Sequence, residues 1–233
     1  AGKDSENTDQ DETGYRYAEY RALMGESGSP DGMFVLKPMN TVDYDEWVQK
    51  YFRSIVLVEK LAETRVLTGF SRVNPTSSDL PNDREMSQLS LDKQVWMPGI
   101  RVFGEGIFLA LSEKTISEWL MHNEVLQRTQ VLTERQERIA SERGIDGCQL
   151  PAKFFLLHAL AHMLIRRLSF NCGYGSSALR ERIYCEDRAD SNSKHEKHMS
   201  GILIYTAAGD CEGTLGGLVQ QGEPELFNQL LKD

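Results

Sequence analysis

Hydrophobic positions divide the chain into a polar start, a mixed middle and a strongly patterned last third. Residues 1 to about 30 are polar, acidic and rich in Gly and Ser, ending in GESGSPDG, and predict a flexible tail. MFVLKP reads as a short strand closed by Pro38. From Asp43 onward, Trp47, Tyr51, Phe52, Ile55, Val56, Val58 and Leu61 return at three- and four-residue steps. That spacing predicts a helix, with Asp43 as N-cap and Asp45 and Glu46 in a first turn that favours acids. The polar stretch 72–95 predicts a loop. In WMPGIRVFGEGIFLAL, two apolar runs flank Gly104, Glu105 and Gly106, which predicts a β-hairpin. Ser112 then caps a long helix with Ile116, Trp119, Leu120, Val125 and Leu126 on its apolar side. TERQERIASERG continues that helix as a solvated, charge-alternating arm, stopped by Gly144.

The last third carries the clearest pattern. Pro151 opens an apolar helix that runs to about Phe170, and Gly173 to Gly175 form a turn. Ser176 or Ser177 caps a short predicted helix reaching Tyr184. The charged loop EDRADSNSKHEKHMS separates it from a strand, GILIYTAA. A glycine-rich turn, GDCEGTLGG, opens the helix LVQQ, and an amphipathic helix follows Pro224. Together these elements predict an α+β fold that is mostly helical, with a central buried helix at 152–170, a small sheet and a β-hairpin. The expected organisation is a flexible acidic tail at 1–30, an N-terminal helical and hairpin region at 31–150, and a further unit at 151–233. The chain contains no internal repeat.

Composition narrows the function classes. The chain has 233 residues, 40% hydrophobic and 26% charged, an ordinary globular balance with enough apolar content for a core. No apolar run is long enough to span a membrane, and the N-terminus lacks the basic start and apolar run of a signal peptide. The missing initiator Met and the ending LLKD, inside a helix-like pattern, predict a fragment or processed piece. Cys148, Cys172, Cys185 and Cys211 form no C-x-x-C pair, so reduced thiols and a cytoplasmic protein are expected, with little support for a zinc site. Net charge is −9 but uneven: residues 1–12 hold one Lys against five acids. Between 151 and 182, Lys153, Arg166, Arg167, Arg180 and Arg182 face only Glu181. Such a local basic face suits contact with phosphates beside a more basic partner.

The stretch HALAHMLIRR places His158 and His162 one helical turn apart on one face. Zinc hydrolases of the H-E-x-x-H type carry their general base directly after the first His, and here that position is Ala159. No acid occurs between Pro151 and Leu179, so base and third ligand are both absent locally. The expected role of the pair is therefore architectural, as buried, hydrogen-bonded imidazoles. The competing enzyme reading is a metal-dependent hydrolase using His158 and His162, or a nuclease using Asp210 and Glu212. ILIYTAAGDCEGTLGGL has the strand, glycine turn and helix of a phosphate cradle but neither a P-loop nor a G-x-G-x-x-G signature. Asp210 and Glu212 place negative charge where a phosphate would sit. Gly213, Gly216 and Gly217 are expected instead to let this helix approach the histidine helix closely. His195 and Lys197 begin a phospholipase D motif whose acid position is filled by Ile202. With no G-x-S-x-G elbow either, no catalytic residue and no metal ligand are assigned. Arg166, Arg167, Arg180 and Arg182 are expected to line a DNA-backbone groove, with Tyr174 and Tyr184 nearby either stacking on bases or filling the core.

HALAHMLIRRLSFNCGYGSSALRERIY followed by GILIYTAAGDCEGTLGGL resembles the domain that ends some DEAD/DEAH-box helicases, the MrfA-like zinc-binding domain. More closely it resembles the DrmB family, helicase-associated subunits of the DISARM antiphage systems. YFRSIVLVEKLAETRVLTGFSRV and VWMPGIRVFGEGIFLAL fit the same family, so the resemblance spans roughly residues 33–233 and is most specific in the last eighty or so. It implies that 151–233 is a helicase-associated domain and that the chain is a non-catalytic accessory subunit in antiviral defence. The partners it implies are a superfamily 2 helicase subunit of the DrmA type and DNA, with no membrane. The matching motif positions are His158, His162, Tyr174, Arg180, Glu181, Tyr205, Asp210, Glu212, Gly213, Gly216 and Gly217. The family's zinc-binding cysteines follow the point where this chain ends, so the resemblance places zinc in the full-length protein and implies no cofactor within residues 1–233.

Overall fold

A computed structural model describes residues 4–26, 32–70, 87, 89–90, 95–143, 150–175, 178–185, 198–207 and 216–232. Its framework is a five-stranded antiparallel sheet. The strands are β1 (Val35–Pro38), β2 (Phe52–Val66), β3 (Gly99–Leu111), β4 (Leu179–Cys185) and β5 (Ser200–Ala207), in the order β1-β2-β3-β5-β4. The α-helices among the described residues are α1 (Asp4–Leu23), α2 (Glu46–Tyr51), α3 (Glu113–Leu120), α4 (Asn123–Arg143), α5 (Ala152–Cys172), α6 (Gly217–Gln220) and α7 (Pro224–Lys232).

The sheet is covered on both faces, and strand alternation decides which residue goes where. Ile55 and Leu57 of β2, Ile107 and Leu109 of β3, and Ile202 and Ile204 of β5 pack under α5, α6 and α7. Val56 and Val58, Phe108 and Ala110, and Leu203 point the other way, against Tyr20 and Leu23 of α1. Each fully buried aliphatic side chain contributes about 1.5–3 kcal/mol, so both layers matter. On the α1 side, Tyr20, Phe108 and Tyr184 meet edge-on or tilted, with ring centroids 5.7–5.9 Å apart.

This double cover corrects several expectations. The α+β class stands, but its organising element is a long sheet with helices on both faces rather than a helical hub beside a small sheet. The helix expected from Asp43 is only six residues long, begins after Asp45, and gives way at Phe52 to strand β2. Four consecutive buried residues, Ile55 to Val58, fit helix spacing as readily as a strand sandwiched between two layers. The expected hairpin at Gly104 to Gly106 is an unbroken stretch of β3, pairing with β2 and β5 together. Gly106 is needed there because a Cβ would come within 2.7 Å of the Ile204 carbonyl oxygen and 2.9 Å of Tyr205 Cβ. The short helix expected to reach Tyr184 is strand β4. The long helix after Ser112 breaks into α3 and α4 around Met121 and His122.

Other expectations hold. MFVLKP contains β1, the Ser112 hydroxyl accepts from the Thr115 amide at the start of α3, and GILIYTA lies in β5. Helix α5 opens after Pro151 and ends at Gly173, which takes the left-handed conformation (φ 72°) that glycine adopts without strain. The stretch 1–30, expected as a flexible tail, instead contains the 20-residue helix α1, which buries Tyr20 and Leu23 against the sheet. Strands from 31–150 and from 151–233 share one sheet. The glycine turn at 208–215 and the loop containing His195 and Lys197 lie outside the described residues.

Candidate metal centre

Helix α5 lies on the sheet by one stripe. Lys153, Leu157, Ala161, Leu164 and Leu168 are buried, while Met163 and Phe170 on other faces are 71% and 81% exposed. The helix is apolar on most sides yet leaves Met163 and Phe170 open to solvent, which overturns the reading of it as a buried hub. His158 and His162 sit off the buried stripe, with side chains 45% and 61% exposed. The expectation that these imidazoles are buried is therefore wrong. The missing acid comes from elsewhere in the sequence: Glu181, on the adjacent edge strand β4.

Three ligand-type atoms converge. His158 Nε2 and His162 Nε2 are 3.0 Å apart, and they stand 3.2 and 3.6 Å from Glu181 Oε1. The imidazole planes are nearly perpendicular at 4.4 Å, and the His158 ring stacks on Phe154 at 5.8 Å. That stacking holds His158 from one turn earlier on α5. Among the described residues, no other His, Cys, Asp or Glu joins the cluster, and no other such group of three or more forms. The other Glu181 oxygen, Oε2, is buried and has no hydrogen-bond partner among the described residues.

Strand alternation explains how Glu181 reaches α5 and where the arginines go. Glu181 shares its face of β4 with Leu179 and Ile183, which pack under α5. Arg180 and Arg182 point to the opposite face. Arg182 donates to both oxygens of Glu19 on α1, at 2.5 and 3.0 Å, and Arg180 reaches Glu63 of β2 at 3.4 Å. Arg166 is exposed on α5, and the Arg167 guanidinium lies 5.9 Å over the Phe170 ring. The sheet thus separates the four arginines expected to line one groove. Tyr184 belongs to the core, where burial, then the Glu19 charge, push its hydroxyl far above the ordinary tyrosine range. Burial also raises Tyr205, with the neighbouring Glu63 acting in the same direction.

A second polar cluster, absent from the sequence reading, centres on Glu105 of β3. Its side chain is 1% exposed. Oε2 accepts from the Gly216 amide at 2.5 Å, and Oε1 accepts from the Leu218 amide at 2.8 Å and from the Tyr174 hydroxyl at 3.3 Å. The amides that a phosphate cradle would offer at α6 are therefore already taken by a carboxylate of the same chain. Gly216 serves this arrangement through its backbone, at φ 122°. A Cβ on Gly217 would meet only the Tyr174 hydroxyl, at an ordinary 3.6 Å. Close helix approach is thus not what Gly216 and Gly217 provide, while Asp210, Glu212 and Gly213 lie outside the described residues. Cys172, whose thiol approaches the Gly217 carbonyl at 3.6 Å, is pushed up in pKa by burial and then by the Glu105 charge. Neither Cys172 nor Cys185 joins a metal-ligand cluster among the described residues, and Cys148 and Cys211 lie outside them.

No family model matches the chain. A curated protein does: the chain is 36% identical over 188 residues to the DISARM protein DrmB of Bacillus paralicheniformis (strain ATCC 9945a / NCIMB 11709 / CD-2). The match covers 79% of this chain and 32% of that protein, so the chain spans about a third of its relative's length. With similarity sustained across that much of the sequence, the chain belongs to the DrmB family of DISARM proteins.

Proposed function

We propose that this chain is part of an antiphage defence subunit of the DISARM type, a cytoplasmic accessory that partners a superfamily 2 helicase and helps to hold DNA. The observation that carries the reading is the 36% identity to a DISARM protein along 79% of the chain. The absence of any helix among the described residues long and apolar enough to cross a membrane is compatible with it. In this reading the chain performs no reaction of its own, and DNA contact falls to Arg166 and Arg167. Arg180 and Arg182 are engaged with Glu63 and Glu19 and serve the fold.

Co-purification of the full chain with the neighbouring helicase, with and without DNA, tests the partnership. The salt dependence of DNA binding by that assembly tests the contacts. Replacing Arg166 and Arg167 with Ala removes two phosphate contacts and should flatten the log–log salt slope by about 1.8, at roughly 0.9 per contact. Replacing Arg180 and Arg182 should leave the slope unchanged and lower thermal stability. An unchanged slope in the first pair removes the assignment.

One observation favours a second reading, that of a metal-dependent hydrolase: the imidazoles are open to solvent and meet a carboxylate. Cleavage of DNA by the full chain with added divalent metal, abolished by Glu181→Gln, would establish it. No cleavage under those conditions leaves the accessory role.

A further inference from the structure

We infer that His158, His162 and Glu181 form a binding site for one divalent transition-metal ion of the zinc class. No cysteine among the described residues joins the site, and the inference does not rest on the accessory role proposed above. The first argument is metric. Zinc bonds to imidazole nitrogen and carboxylate oxygen are about 2.0–2.2 Å long, so neighbouring ligand atoms around a tetrahedral ion stand roughly 3.3–3.6 Å apart. The three edges here are 3.0, 3.2 and 3.6 Å, and a single point lies at bonding distance from all three atoms.

The second argument is chemical. Two Nε2 atoms and one carboxylate oxygen cannot all satisfy one another through hydrogens alone. Neutral imidazoles offer at most one Nε2–H each, and the Nε2 to Nε2 contact uses a donor that the shared Oε1 also needs. If both rings are charged, two donors face each other at 3.0 Å. A cation at the centre resolves the conflict, since every converging atom becomes a lone-pair donor. The ligand set, two imidazoles and one carboxylate, suits first-row divalent metals and is a poor match for calcium or magnesium, which take oxygen shells.

The third argument is architectural. The histidines are one turn apart on a regular helix, and Glu181 is set by the register of β4 against β5, where it pairs with Ile204. Both supports are rigid, which fixes the ligand atoms before the ion arrives. Oε2, which has no hydrogen-bond partner among the described residues, supplies a second carboxylate oxygen for the same ion. With three protein side chains and exposed imidazoles, at least one coordination position faces solvent beside the depression lined by His162, Ile165, Arg166 and Ser169.

The test uses the full chain, stripped with chelator and titrated with Co2+ as a spectroscopic stand-in for zinc. The expected result is uptake of one equivalent with visible bands of a nitrogen- and oxygen-ligated ion and without the near-ultraviolet bands of thiolate ligation. His162→Gln and Glu181→Gln should each weaken binding by at least about 100-fold, beyond the 10- to 100-fold that losing an outer partner costs. The thermal midpoint of metal-free His162→Gln should match that of the metal-free parent chain, because that side chain is mostly exposed. On the unaltered chain, nitrogen NMR should show Nε2 of both histidines displaced by Zn2+, which keeps the inference testable should a variant fail to fold. Absence of uptake, thiolate bands, unchanged affinity in both variants, or unmoved imidazole nitrogens would each overturn it.

Discussion

Gly106→Ala is expected to destabilise the protein by about 3 kcal/mol, the upper end of what forced overpacking costs. The added methyl would stand 2.7 Å from the Ile204 carbonyl oxygen and 2.9 Å from Tyr205 Cβ, at the seam where β3 pairs with β5. The obstacle is backbone, so no side-chain rotation relieves it. The strands must separate, and the β3–β5 seam joins the β1-β2 side of the sheet to β4. Urea denaturation should show a lower midpoint with an unchanged slope. Gly99→Ala serves as the control: its Cβ would meet the Arg65 carbonyl oxygen at 3.1 Å, near the end of β2 and in an exposed position. Equal losses at the two positions would remove the argument from the seam.

Glu105→Ala should cost a comparable amount, about 3–5 kcal/mol, in the range seen when a buried polar partner is removed. Three donors lose their acceptor at once: the Gly216 and Leu218 amides and the Tyr174 hydroxyl. Two of these are backbone groups that no rotamer change can redirect. Glu105→Gln keeps the shape and one acceptor oxygen but turns an NH2 toward an amide, so it should lose less, about 1–3 kcal/mol. Hydrogen exchange at Gly216 and Leu218 should accelerate in both variants before global unfolding does. If exchange at those amides is unchanged, Glu105 is not their acceptor in solution.

Where the pattern of apolar residues misleads, the cause is the same each time. Ile55 to Val58 and the run through Gly104 to Gly106 lie in strands buried on both faces, which lack the two-residue alternation of a half-exposed strand. Leu179 to Cys185 carries Arg180, Glu181 and Arg182 in succession, a sequence that suits an exposed helix. As a strand it sends the acid one way and the two bases the other. Glu181 was therefore visible as a motif position by resemblance but had no chemical role. Reading β4 as a strand would have placed it on the face toward α5. Glu105 left no signal at all, because a glutamate between two glycines looks like a turn.

The family, the proline-opened and glycine-terminated course of α5, the strands at MFVLKP and GILIYTAA, and the spacing of His158 and His162 were determined by sequence alone. The structural ones among these rest on short-range chemistry: proline and glycine at element ends, and the 3.6-residue repeat that sets two side chains one turn apart. Only the tertiary structure decided that these imidazoles face solvent and meet Glu181, that Arg180 and Arg182 turn away from Arg166 and Arg167, and that Glu105 occupies the α6 amides. Each of these depends on which face of a strand meets which helix. That is fixed by pairing between segments far apart in the chain, and no local pattern records it.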